Sequence, residues 1–373
     1  MHKRAVAAVA LLGLVIVATL AIIVSRQDQT PQPPPQPTPP APATMIVQVR
    51  DSTLLAQGSV LMGINGESTR LDQLWWTTDW WVDQIDVQEV SAAELGRKPV
   101  QYVMQTVQAQ VQVPVNDAWV LDRLAFAGLI DAVGGVRLNL TQRAAYVDEQ
   151  GVPQFLDAGP QTLAGAHAAD YVLDPSLRDT AVRMARFQAV WDQVLRRFPT
   201  DPEKSRALMV SLGVLSKATM TTDELADFMA QAKQLRVTSA YGQAEVPLDP
   251  GNLVRIQPAQ GVRTAYALSA ADMPSRMAGI FEEYPSPAEP IARVAAAAFR
   301  SEDVTAIRDQ LTTRGWQTAW TGRSEAGESS LIVPPGTSAQ QVTQLQQAVG
   351  LTPQEQDLPW GDAQVDIARA VGS

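Results

Sequence analysis

Ala5 to Val24 is a run of twenty residues without a charge, and His2-Lys3-Arg4 stand immediately before it. At 1.5 Å of rise per residue, a helix of that length is about 30 Å long, the thickness of a hydrocarbon core. The run is longer than the apolar region of an ordinary signal peptide, and no small-x-small cleavage site follows it closely. Ala41-Pro42-Ala43 has that form, but it lies far downstream and carries a disfavouring proline. Basic residues before an apolar span hold that end in the cytoplasm. Residues 1–26 are therefore expected to form an uncleaved, single-pass signal anchor in the cell membrane, with the bulk of the chain extracytoplasmic.

Residues 27–44 carry proline at positions 31, 33, 34, 35, 37, 39, 40 and 42. Proline lacks the backbone donor and has a fixed φ, so neither a helix nor a central strand is open to this stretch. The expectation is an extended polyproline II spacer of about 3.1 Å per residue. Hydrophobic residues make up 46% of the chain, ample for a packed core beyond the spacer. The remaining length, roughly 330 residues, suggests two domains.

Composition removes several function classes. The chain has no cysteine, hence no disulfide framework, thiol nucleophile or cysteine-bound metal. A formal net charge of −10 argues against a nucleic-acid partner, which needs basic patches. His167 is the only histidine beyond His2, so a multi-histidine metal site is excluded and a Ser-His-Asp triad has one candidate base. His167 reads as a residue that caps or decorates a helix. Gly134-Gly135 lacks the dinucleotide-binding spacing and reads as a tight turn between helix and strand.

Periodicity organises residues 45–284 as one α/β domain. Strands are expected at Met45–Val49, Ser59–Ile64, Ala118–Leu121 and Val136–Leu140. Helices are expected at Pro99–Val111, Arg123–Val133, around Met184–Leu195, and from a Thr221–Glu224 capping box to Leu235. The doublets Trp75-Trp76 and Trp80-Trp81 read either as packing under a loop or strand, or as aromatics at a membrane edge. Prolines around Tyr284-Pro285 mark a boundary. Residues 290–373 then read β-α-β-β-α-β, the order of a small ferredoxin-like module.

Three segments carry a resemblance. They are Leu129-Ile130-Asp131-Ala132-Val133-Gly134-Gly135-Val136, Ala158-Gly159-Pro160-Gln161-Thr162-Leu163-Ala164-Gly165, and Arg183-Met184-Ala185-Arg186-Phe187-Gln188. In order and spacing they resemble the LytR-CpsA-Psr family, extracytoplasmic enzymes that move glycopolymers from a polyprenyl-pyrophosphate carrier onto the cell wall. The resemblance implies a mixed sheet covered by helices. Residues 290–373 are similar to the LytR C-terminal domain, although Ala296-Ala297-Ala298 stands where its Asn-Gly signal would be.

The resemblance also implies a site in which arginines hold a pyrophosphate and carboxylates hold Mg²⁺. Such groups neutralise the charge that builds on the leaving oxygen. Much of that set is replaced. Asn65 stands where the family has a strand ending in aspartate, and the Ser-Asp-Thr segment that should come after it is deleted. Thr77-Thr78-Asp79 occupies the place of Pro-Arg-Asp, keeping Asp79 as a catalytic or metal candidate. Tyr171-Val172-Leu173-Asp174-Pro175 replaces Tyr-Val-Arg-x-Arg, so both arginines are gone. Arg183 and Arg186 match the Gly-Arg-x-x-Arg-Gln-Gln helix, with Val182 for glycine and Phe187 for the first glutamine. Arg178 is a substitute cation nearby, and Asp179 sits one place off the family aspartate.

Substrate binding is therefore assigned to Arg178, Arg183 and Arg186, with Arg183 also a catalytic candidate. Metal binding, if Mg²⁺ is used at all, is assigned to Asn65 and Asp79. Arg183 and Arg186 also read as the solvated edge of an amphipathic helix. Leu121, Leu124, Phe126, Leu129 and Ile130 read either as the lining of an isoprenoid cleft or as filled core. The expected function is that of a catalytically degenerate binding or accessory factor in cell-envelope glycopolymer assembly, with a polyprenyl-linked glycan or wall polymer as partner. Two alternatives stand beside it: an active phosphotransferase with a rearranged site, and an interaction protein acting through the C-terminal domain.

Overall fold

The computed structural model describes residues 43–65, 70–85, 88–238, 240–256, 263–282, 284–296, 302–322, 324 and 328–367. The apolar run Ala5–Val24 and the proline-rich stretch up to residue 42 lie outside the described residues. Among the described residues no helix is long and apolar enough to cross a membrane.

Strands β1 (Ala43–Arg50), β2 (Ala56–Asn65) and β3 (Arg70–Trp75) form an antiparallel meander. The chain leaves it through a ribbon, β4 (Trp81–Ile85) and β5 (Gln88–Ser91), and a helix, α1 (Val100–Val111). It returns as β6 (Asp117–Asp122), parallel to β1. Parallel neighbours require such a crossover. Helix α2 (Arg123–Ala132) starts at once, its first turn capped by Asp122, whose carboxylate accepts from the Ala125 N–H. Gly134 and Gly135, at φ +83° and +78°, stop it and feed β7 (Val136–Leu140).

Next comes a separate two-stranded hairpin, β8 (Ala144–Val147) with β9 (Pro153–Leu156), and β10 (Gly159–Leu163) pairs back on β7. Helices α3 (Gly165–Leu173), α4 (Thr180–Arg197) and α5 (Pro202–Ser211) succeed it. Strand β11 (Ser216–Ala218) joins one edge of the main sheet beside β6. Helix α6 (Thr222–Val237), opened by the expected Thr221–Glu224 capping box, leads to β12 (Tyr241–Glu245) at the other edge beside β3. The six-stranded order is β11-β6-β1-β2-β3-β12. A ribbon of β13 (Leu248–Ile256) and β14 (Arg263–Leu268) and a short helix, α7 (Met273–Met277), complete this part.

Alternation along the central strands explains why the sheet is covered on both sides. Met45, Val47 and Val49 of β1 share one core with Val60 and Met62 of β2 and with Phe126, Phe187 and Trp191 of the helices. Ile46, Leu61 and Leu74 point the other way, into a core with Val103, Met104, Val107 and Val111 of α1. Period-two strands with apolar residues at both parities must be buried on both faces. All four doublet tryptophans are buried: Trp75 and Trp76 are 2% and 3% exposed, and Trp80 and Trp81 are 0%. The membrane-edge reading is thereby corrected, because none of these rings reaches the surface.

The shared motif of the second segment is scaffold. Gly165 opens α3 with its N–H donating to Asp131 Oδ1 at 2.6 Å. A Cβ there would lie 2.0 Å from the Ala127 carbonyl oxygen, so only glycine lets α3 cross α2 so closely.

The C-terminal part is a second mixed sheet: β15 (Ile291–Ala296), α8 (Glu302–Thr313), β16 (Gln317–Gly322), β17 (Ser330–Val333), α9 (Ala339–Val349), β18 (Pro353–Glu355) and β19 (Ala363–Ile367). The expected ferredoxin-like order needs correction. An extra strand, β18, lies parallel to β17 after α9, and the order is β16-β15-β19-β17-β18. Two parallel βαβ crossovers therefore flank β19. This sheet packs on the first part, with Trp81 stacked on Trp320 at 6.2 Å and Arg293 donating to the Gln110 carbonyl.

Candidate functional site

Because β1 and β6 run parallel, the residues just past their ends emerge at one edge, Asp51 after β1 and Arg123 after β6. Around them lies a cavity of about 480 Å³. Its wall is completed by the start of β2, the loop after β3, the turn of the β8–β9 hairpin, the loop 173–178, the first turns of α4, and Thr264 and Tyr266 of β14.

Of the residues singled out in the sequence, Asp79, Arg178 and Arg183 line this cavity. Asp79 Oδ2 accepts from Thr180 Oγ1 at 2.9 Å, and Oδ1 is buried without a hydrogen-bond partner. The Tyr266 N–H holds the Asp79 carbonyl at 2.8 Å, fixing the loop after β3. Arg178 is exposed at the mouth. Arg183, 6% exposed, donates to the Asp174 carbonyl at 3.0 Å and to the Leu177 carbonyl, so it braces the loop over which it lies.

Arg186 is placed elsewhere. Its guanidinium donates to the carbonyls of Tyr171 and Ala145, pairs with Asp174 at 3.2 Å, and stands 4.4 Å from the Tyr171 ring centroid. It does not line the cavity. Neither arginine is a solvated helix edge, since both are buried. Asp174 is the hub of this cluster. Its carboxylate also accepts from the N–H groups of Val147 and Ser176 and from Ser176 Oγ. Asp179 caps α4 through the Val182 N–H, which accounts for it without a ligand.

Asn65 is a correction. It ends β2, nine residues from Ala56, and so lies roughly 30 Å along the strand from the cavity end. The strand followed directly by an aspartate at the cavity is β1, and the residue is Asp51. Asp72 is also distant, near the start of β3, paired with Arg70 at 2.9 Å and accepting from the Phe281 N–H. The isoprenoid cleft resolves as filled core for four of its five residues, since Leu121, Phe126, Leu129 and Ile130 are 0% exposed. Leu124 faces outward at 57%. His167 sits exposed on α3, its Nδ1 2.9 Å from the Tyr146 hydroxyl.

Asp51 and Arg123 are two of the five charged wall residues outside the sequence-based set, the others being Asp148, Glu149 and Asp170. Asp51 Oδ1 accepts from Thr53 N, Thr53 Oγ1 and Leu55 N, and Oδ2 accepts from Gln57. Arg123 lies between two carboxylates, with Nε 2.7 Å from Asp170 Oδ1 and Nη1 2.7 Å from Glu149 Oε2. The Asp170 hydrogen bond holds the Arg123 pKa above its ordinary value against the opposing effect of burial. A signal exists for both, because each stands just past an apolar strand run, where strand ends gather.

The wall thus carries five carboxylates, Asp51, Asp79, Asp148, Glu149 and Asp170, against three arginines, Arg123, Arg178 and Arg183. Thr78, Leu173 and Pro175, which replace arginines in the resemblance, also line it. Among the described residues no group of three His, Asp or Glu could cage a metal ion. The unpartnered Asp79 oxygen, on a wall shared with Asp51, does fit Mg²⁺ of the kind held mostly by water and ligand phosphates.

Residues 84–251 match the LytR_cpsA_psr family model, so Asp51 and Asp79 precede the matched segment. No curated protein matches the chain in sequence. Among solved structures, the fold is similar to that of B. subtilis TagV, with TM-score 0.53 and 11% identity over 66% of this chain and 98% of that one. A protein from Streptococcus agalactiae gives TM-score 0.52 and 12% identity over 66% of this chain and 90% of that one. TagT bound to LI-WTA gives TM-score 0.49 and 15% identity over 64% and 90%.

Proposed function

We propose that this chain, which carries a LytR_cpsA_psr domain over residues 84–251, is a membrane-anchored, extracytoplasmic protein of cell-envelope glycopolymer assembly. It binds the anionic head of a carrier-linked glycopolymer and does not transfer it. The observation that carries the second half is the charge of the cavity. Transfer from a pyrophosphate needs donors aimed in advance at the leaving oxygen. Here three wall positions that the resemblance gives to arginine are Thr78, Leu173 and Pro175. Arg183 donates to backbone carbonyls, and Arg123 is paired with two carboxylates.

Binding asks less of the site than transfer. Arg178 at the mouth can meet a phosphate as it enters. Asp51 and Asp79 would hold a magnesium ion arriving with the phosphates, and that ion supplies neutralisation of their charge. The hydroxyls of Thr78, Thr180 and Tyr266 are suited to sugar hydroxyls.

The test uses the full-length chain in detergent with a polyprenyl-pyrophosphate saccharide and Mg²⁺, measuring bound ligand and released polyprenyl phosphate in one sample. Binding without release is expected. Release that Arg178→Ala abolishes would overturn the reading in favour of an active phosphotransferase. Neither binding nor release would move the function to the C-terminal sheet as an interaction module.

A further inference from the structure

We infer that Glu149, at the tip of the β8–β9 hairpin, is a built-in competitor for the ligand's anionic group at Arg123, so that ligand entry exchanges the Glu149 carboxylate for the incoming anion. The inference rests on the anion-binding reading of the cavity and adds a gate to it.

The two carboxylates on Arg123 differ in kind. Asp170 is on α3 with its side chain 8% exposed, whereas Glu149 is on a turn with its side chain 46% exposed. The first is a fixed partner in the wall. The second is open to water, and ion pairs of that sort are weak. A guanidinium offers five donors in a planar fork that suits a phosphate as well as a carboxylate. Asp170 takes the Nε side of the guanidinium, so an incoming anion needs the Nη1 donor that Glu149 occupies, and a third negative charge at contact distance adds repulsion. One of the two carboxylates has to leave, and only Glu149 is on a segment outside the packed helices.

The hairpin is built to aim that residue. Asp148 accepts from the Gln150 and Val152 N–H groups and from Gln154, which makes the turn stiff. At the neck, the Val147 N–H donates to Asp174 and the Ala145 carbonyl accepts from Arg186. Arg186 and Asp174 are thus positioning residues for the arm that carries Glu149. An arginine that the sequence assigns to a phosphate pocket instead holds the device that covers a different arginine.

Inorganic pyrophosphate with Mg²⁺, titrated calorimetrically into the full-length chain, reads the exchange directly. Glu149→Gln should bind about fivefold tighter than the natural chain, the equivalent of a weak exposed ion pair. The gain should vanish in Glu149→Gln/Arg123→Lys, which keeps a cation for Asp170 but removes the fork. Asp157→Asn, an equal change of charge beside the same hairpin, should leave the affinity unaltered. Equal binding by the natural chain and Glu149→Gln overturns the gate and leaves anion binding intact. A gain that survives Arg123→Lys, or is matched by Asp157→Asn, also overturns it. Absence of binding in every variant overturns both the gate and the anion-binding reading.

Discussion

Replacing Asp174 with alanine tests whether the arginines of α4 are structural. Asp174 is 2% exposed, and its loss leaves the Arg186 guanidinium buried without a carboxylate. Breaking a buried pair from one side costs about 3–5 kcal/mol. Arg186 keeps the Tyr171 and Ala145 carbonyls and the Tyr171 ring, which puts the cost near the lower bound, about 3 kcal/mol. The Ser176 N–H is at the surface and regains water, whereas the half-buried Val147 N–H loses its acceptor, adding about 1 kcal/mol. Asp174→Ala should therefore lower the unfolding free energy by about 4 kcal/mol. Urea unfolding monitored by tryptophan emission measures it, since Trp191 of α4 packs edge-on against Trp119. The double variant Asp174→Ala/Arg186→Met should recover about half of the loss, because no buried charge is then left unpaired. A single-variant loss below about 1 kcal/mol, or strictly additive effects, would refute the hub.

Gly165→Ala should destabilise by about 3 kcal/mol or more, since the new methyl group meets the Ala127 carbonyl and the Asp131 carboxylate; a variant that unfolds in urea at the natural midpoint would contradict the close crossing. Arg293 is 1% exposed with no carboxylate paired to it among the described residues, and burial pulls its pKa down to about 9. Arg293→Met should match the natural stability or exceed it by about 1 kcal/mol at neutral pH. The folded-state value lies below the unfolded one, so the burial cost is complete below pH 9 and fades above it. The natural chain should then gain on Arg293→Met by about 1.4 kcal/mol per pH unit, and a constant gap between about pH 8 and 10.5 would sink this account.

Elements with a local signal are legible in the sequence. Helix α6 carries its own capping box, α2 ends on a glycine pair, and β1 and β2 contain β-branched runs, so their limits come from a few neighbouring residues. Strands β3, β8 and β12 have no such punctuation, and pairing with a distant strand decides them. The site is half legible. The family resemblance points to Asp79, Arg178 and Arg183, while Asp51 and Arg123 belong to one cavity only because β1 and β6 are parallel neighbours.

The sequence by itself determined what depends on short range: an apolar run of bilayer length, a proline stretch barred from helix and sheet, the absence of thiol chemistry, and a helix–glycine–strand scaffold around Asp131 and Gly165. Tertiary structure alone decided which charges share a space. A one-dimensional order cannot show that Arg186 is turned toward Asp174, that Asn65 lies at the far end of its strand, or that Glu149 reaches Arg123. The physical reason is range. A charge pair is worth most within a few ångströms, and that distance between residues far apart in the chain exists only after the sheet has set strand direction and the helices have fixed the loops.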